Sequence, residues 1–72
     1  MLLGTRQVAG ILQLSPSRIM RAIWEGRIQS PVKGPGGAFI WNEVDIRRTA
    51  WALLRRDLKE EELDAIQGES RQ

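Results

Sequence analysis

Apolar residues recur along this chain at two different spacings, and the changes between them mark out its elements. From Arg6 to Leu12, Val8 and Leu12 stand four apart with Ala9 and Ile11 beside them, a helical spacing. Thr5 precedes this run and reads as its N-cap, since a hydroxyl there can accept from the free N–H groups two or three residues on. Gly10 weakens the helix by about 1 kcal/mol relative to alanine, so the helix depends on tertiary packing. A second helix is predicted from Ser15 to Glu25. Ser15 is its cap, Pro16 occupies the first helical position, Ile19 and Ile23 form the inner stripe, and Gly26 ends it. Only Gln13 and Leu14 separate the two, with Leu14 apolar enough to plug the corner, so the pair reads as a helix-turn-helix.

The spacing then changes. Arg27 to Lys33 and Ala38 to Trp41 are β-prone runs around Gly34-Pro35-Gly36-Gly37, which predicts a hairpin. Pro31 confines the first run to an edge strand or an irregular lead-in. Asn42 caps a third helix with Asp45 at its third position. That helix carries Val44, Ile46, Ala50, Trp51, Leu53 and Leu54, wide apolar coverage suited to closing the core, and Leu58 extends the series. Glu60 to Ile66 reads as a helical extension and Gly68 to Gln72 as a fraying end. The expected fold is mainly α with a small β hairpin, a winged helix-turn-helix of three to four helices. Residues 1–56 form the domain, and residues 57–72 an acidic helical extension and tail.

Composition narrows the function. With 72 residues there is one small domain and little room for a deep active-site cleft. Cysteine and histidine are both absent, which removes disulfides, thiolate chemistry, the commonest zinc ligands and the usual general base. No enzyme, metal or other cofactor is expected. No apolar run approaches the ~20 residues of a membrane span, the opening Met1 to Gly4 lacks the features of a signal peptide, and a cytoplasmic location is the default expectation. The net charge of +2 hides a segregation. Up to Arg56 nine Lys/Arg meet three acids, a balance of +6, whereas from Asp57 onward two bases meet six acids, a balance of −4. A basic body with an acidic tail suggests a polyanion partner, although solubility alone explains such a pattern too.

The second helix holds the most informative constellation. With Ile19 and Ile23 inward, Ser17, Arg18 and Arg21 lie outward near its amino terminus, where free N–H groups favour phosphate. An arginine there can make two parallel hydrogen bonds to a guanine edge in the major groove. Ser15, Ser17, Arg18 and Arg21 are therefore candidate DNA contacts, the plain alternative being solubilising surface groups. Arg47 and Arg48 read as added DNA-backbone contacts or as solvated charges, since adjacent helical residues point in different directions. Gly34 to Gly37 lacks the lysine-hydroxyl ending of a phosphate loop. Glu60, Glu61, Glu62 and Asp64 read as a solvated helix face rather than a carboxylate pair or cation site.

The run Thr5-Arg6-Gln7-Val8-Ala9, Leu12 to Ile19, Arg21 and Gly26-Arg27-Ile28 resembles the excisionase-type, MerR-like helix-turn-helix family. The likeness continues through Val32, Gly36-Gly37, Phe39 and Asn42-Glu43-Val44-Asp45, roughly Leu2 to Leu54. The resemblance implies a recognition helix in the major groove and a two-stranded wing on the backbone or minor groove. It implies a role in DNA excision beside an integrase or in transcription with its machinery. It also implies that Arg27 clamps a phosphate, the alternative being complementation of the helix end, and that Lys33 is the wing's cation. Three departures stand out. Gln13 replaces a usual glycine, at a strain of ~1 kcal/mol if it must be left-handed. Phe39 lacks a basic neighbour. Trp24 replaces a usual charge, and either packs against the carboxyl-terminal helix or contacts DNA or a second copy. One module gives limited affinity, so a homodimer or cooperative assembly on DNA is expected, with Leu58, Leu63, Ile66 and Trp24 as apolar contacts. The alternative function is a protein-interaction adaptor on the same scaffold, favoured by the weak wing and acidic tail.

Overall fold

The structure, a computed structural model, describes residues 3–70. These form α1 (Thr5–Leu12), α2 (Pro16–Trp24), β1 (Val32–Lys33), a tight turn (Pro35–Gly37), β2 (Phe39–Ile40), α3 (Glu43–Leu54) and α4 (Glu60–Ser70). The protein is thus mainly helical, with four helices and a two-stranded antiparallel sheet among the described residues.

Helix α1 begins one residue earlier than its apolar spacing suggests. Gly4, not Thr5, is the N-cap, and its N–H donates to Gln7 Oε1 at 2.8 Å. The Thr5 hydroxyl instead accepts from the indole Nε1 of Trp41 at 3.0 Å. A buried indole N–H without a partner is costly, so this tertiary bond takes the hydroxyl that a local cap would have used. Gln13 ends α1 in the left-handed conformation, φ 57°. Its N–H bonds to Gly10 O and the Leu14 N–H to Ala9 O, the two bonds of a Schellman motif. The expected strain at Gln13 is therefore present.

Helix α2 follows its local signals closely. Ser15 Oγ accepts from the Arg18 N–H at 3.2 Å, and Pro16 opens the first turn. At the far end Gly26, φ 76°, closes a second Schellman motif through Gly26 N to Ile23 O and Arg27 N to Ala22 O. The two helix ends use the same bonds, one with glycine in the left-handed position and one with glutamine.

The hairpin is shorter than the β-prone runs. Val32 pairs with Ile40 and Lys33 with Phe39, so each strand has two residues. Pro31, lacking an N–H, stops the ladder on one side. Gly36 and Gly37 turn the chain with φ 81° and 82°. Beyond β2, Trp41 exchanges two backbone bonds with Leu3, at 3.1 and 2.8 Å, which fastens the segment before α1 to the hairpin.

Trp41 is the largest wholly buried side chain, and Val8, Ile19, Ile46 and Ile66 join it in one core. The Asn42 cap forms as expected, with Asp45 N donating to Asn42 Oδ1 at 2.8 Å and Asn42 N to Asp45 Oδ2 at 3.3 Å. The wide apolar coverage of α3 is only partly used. Ile46 and Ala50 are buried, but Val44 and Trp51 face outward, with Trp51 61% exposed. Helix α4 packs on α1 and contributes Ile66 to the common core, so the acidic segment shares the core of the basic body and Ile66 is closed to a partner. Helix α4 also runs through Gly68 to Ser70, where fraying was expected; Arg71 and Gln72 lie outside the described residues. No helix among the described residues is long and apolar enough to cross a membrane.

Candidate functional site

Helix α2 turns Ile19 and Ala22 into the core and leaves Ser17, Arg18 and Arg21 exposed. Ser15, Ser17, Arg18 and Arg21 line one shallow cleft of about 280 Å³ at its amino-terminal half. Four of the six sequence candidates are thereby brought together. They differ in freedom. Ser15 Oγ is engaged as the helix cap. Arg18 Nη2 donates to the carbonyl of Leu53 at 3.3 Å, which ties α2 to the carboxyl-terminal end of α3. Arg21 has no side-chain partner among the described residues, and the cleft contains no acid.

The remaining candidates lie elsewhere. Arg27 follows the α2 terminus and lines a separate cleft of about 500 Å³ with Ala52 and Arg55. Its guanidinium approaches Glu25 at 3.4 Å, an ion pair whose side chains are 65% and 47% exposed, so solvent screens it strongly. Lys33 sits in the hairpin with its ammonium 5.8 Å from the centre of the Phe39 ring. Phe39 in turn lines a groove with Arg6 and Met20, so the hairpin borders the start of α1 and one residue of α2.

Trp24 does not pack against the carboxyl-terminal helix. It is 79% exposed and lines an apolar groove on α2 with Pro16, Met20 and Arg21. Helix α4 packs on α1 instead.

Of the adjacent arginines on α3, Arg47 is taken up by carboxylates: Glu43 Oε2 at 3.3 Å and both Asp57 oxygens at 3.1 and 3.0 Å. Arg48 reaches Gln29 Oε1 at 2.9 Å, bracing the segment after α2. The acidic cluster also divides. Glu60, Glu61 and Asp64 are exposed, but Glu62 is buried. It accepts two bonds from Arg56, at 2.7 and 2.9 Å, and one from the Lys59 N–H at 2.8 Å. The Arg56 bonds hold the Glu62 carboxyl below its ordinary range against the opposing effect of burial, and the Lys59 N–H adds to this. The same bonds raise Arg56. Glu62 is thus a structural anion at the start of α4, and no group of acids among the described residues is arranged to hold a metal.

Sequence reasoning missed Arg55 and Arg6. The only signal for Arg55 was its place in an Arg-Arg pair before an acidic stretch, and nothing local predicted the cleft it shares with Arg27. Comparison with protein-family models, curated proteins and solved structures finds no match to this chain.

Proposed function

We propose that this chain is a sequence-specific double-stranded DNA-binding protein without catalysis, built as a winged helix-turn-helix. Helix α2 serves as the recognition helix, and the hairpin as the wing. What carries the reading is the exposed amino-terminal half of α2, where Ser17, Arg18 and an unpartnered Arg21 share one acid-free cleft. The tight α1–α2 turn and the neighbouring hairpin support this reading, since in helix-turn-helix proteins the helix after such a turn is the one that enters the major groove. Arg21 is suited to a guanine edge, and Arg18, which spends one N–H on Leu53 O, keeps further donors for a phosphate. Lys33, held over Phe39, supplies the wing's cation. An excisionase-like or transcriptional role, a cooperative assembly on DNA and a cytoplasmic location complete the proposal.

Selection of bound sequences from a random duplex pool, followed by titration at several salt concentrations, tests it. Arg21→Ala is expected to lose about tenfold in affinity, or ~1.4 kcal/mol, on the selected duplex and to relax preference at one base pair. Parent-like binding by Arg21→Ala and Arg18→Ala at every salt concentration rejects the recognition-helix assignment.

The exposed Trp24 favours a second reading, a protein-interaction adaptor on the same scaffold. Trp24 is 79% exposed and shares its apolar groove with Pro16 and Met20. An absence of duplex binding at low salt, with one protein partner lost on Trp24→Ala, establishes that reading instead.

A further inference from the structure

Arg55 is an arginine where the backbone asks for glycine. It ends α3 in the left-handed conformation, φ 57°, with its N–H bonded to Trp51 O at 3.1 Å. A glycine takes that conformation without a Cβ clash, so the arginine is held there at some expense to stability. Its guanidinium has no partner among the described residues. The acid two positions on, Asp57, is turned to Arg47, and Glu62 is held by the neighbouring Arg56. Arg27 lines the same polar cleft, and its contact with Glu25 is exposed and readily exchanged. The other lining residue is the small, uncharged Ala52. The bond from Arg18 to Leu53 O attaches this end of α3 to α2, so the cleft adjoins the cationic face of that helix.

We propose that Arg55 supplies a second guanidinium beside Arg27, whose phosphate contact the family resemblance already implies, so that the two form a clamp for a phosphodiester group of the DNA that α2 reads, outside the base-reading surface. The proposal rests on the DNA-binding reading. Guanidinium forks match phosphate oxygens in pairs, and two of them lining one open cleft neutralise one group together. Such a contact positions the protein on the duplex without reading its sequence. The left-handed strain at Arg55, beside its exposed and unpartnered guanidinium, adds support to a ligand contact there.

The experiment measures affinity for the selected duplex and for an unrelated duplex over a series of salt concentrations, for the parent, Arg55→Gly and Arg27→Gln. Arg55→Gly is expected to bind both duplexes several-fold more weakly, with the log–log salt slope reduced by about one. Its melting temperature is expected to rise, because glycine relieves the strain. Arg27→Gln lowers the slope similarly, and the double variant by about two. If Arg55 is merely structural, Arg55→Gly melts lower and binds like the parent, which overturns the clamp. An unchanged slope in Arg55→Gly beside lost preference in Arg21→Ala rejects the clamp and leaves the recognition helix standing. A parent that shows no salt-dependent duplex binding rejects both.

Discussion

The seam between α2 and α3 and the junction between α3 and α4 are both rich in arginine, and they treat it in opposite ways. At the junction every guanidinium meets carboxylate: Arg47 with Glu43 and Asp57, Arg56 with Glu62. In the seam Arg18, Arg27 and Arg48 meet a carbonyl, an exposed Glu25 and an amide, and Arg55 meets no partner among the described residues. The two arginine pairs of the chain are each split between these regions: Arg47 and Arg48 because successive helical positions point about 100° apart, Arg55 and Arg56 because the chain leaves the helix at the left-handed Arg55. Arg47 and Arg56 are neutralised by carboxylates, Arg48 is bonded to a neutral amide that leaves its charge uncompensated, and the Arg55 guanidinium has no partner among the described residues. A net charge of +2 conceals this sorting. What matters for binding is which cations the fold has already neutralised.

The strongest way to break the junction is to remove its buried anion. Glu62→Ala strands Arg56 and frees the Lys59 N–H, and is expected to destabilise the protein by about 2 kcal/mol in denaturant titration. Duplex affinity, measured where the variant is fully folded, should stay at the parent's value. The same pair makes stability depend on acid. The folded carboxyl lies below its unfolded range, so its contribution is complete above the ordinary glutamate range and is lost as pH falls through the lower folded value. Thermal melts of Glu62→Gln should show a flatter loss of stability over that acid window than the parent. A smaller effect is expected beneath the α2 face. Gln13→Gly relieves the left-handed strain and should raise stability by about 0.5–1 kcal/mol, less than the full strain because glycine also gains freedom when unfolded. The smallest comes from Arg47→Ala, at most ~0.5 kcal/mol, since its ion pairs are exposed. It should leave the salt slope of DNA binding untouched, whereas Arg55→Gly reduces it. Equal slopes for these two variants would erase the distinction between the regions.

Local signals in the sequence were sufficient wherever local bonds decided the outcome. Ser15, Pro16 and Gly26 bounded α2 correctly because cap, first turn and Schellman closure all lie within a few residues of one another. Asn42 and Asp45 did the same for α3. Thr5 misled because its hydroxyl is claimed by Trp41, a contact that no local pattern contains. The three tryptophans show the same limit. Trp41 is wholly buried while Trp24 and Trp51 are mostly exposed, yet each sits among apolar neighbours in sequence. Glu62 looked like one of several solvated acids, and only the fold brings Arg56 to it. In the candidate site, the α2 cluster was legible from helical spacing alone. The Arg27–Arg55 cleft was not, because it joins the ends of two helices separated by the whole hairpin.

The pair of backbone hydrogen bonds between Leu3 and Trp41 has a consequence for how the chain assembles. The helix ends of α1 and α2 close over short loops, whereas this bridge must gather almost the whole span from the start of the described residues to the end of the hairpin. The entropy of closing so long a loop is returned only once Trp41 enters the core. A two-residue ladder has little cohesion without that anchor, so the helical pair is expected to be in place before the hairpin locks. Opened again in the native state, the same bridge would release the hairpin as a unit while α1 and α2 stay folded.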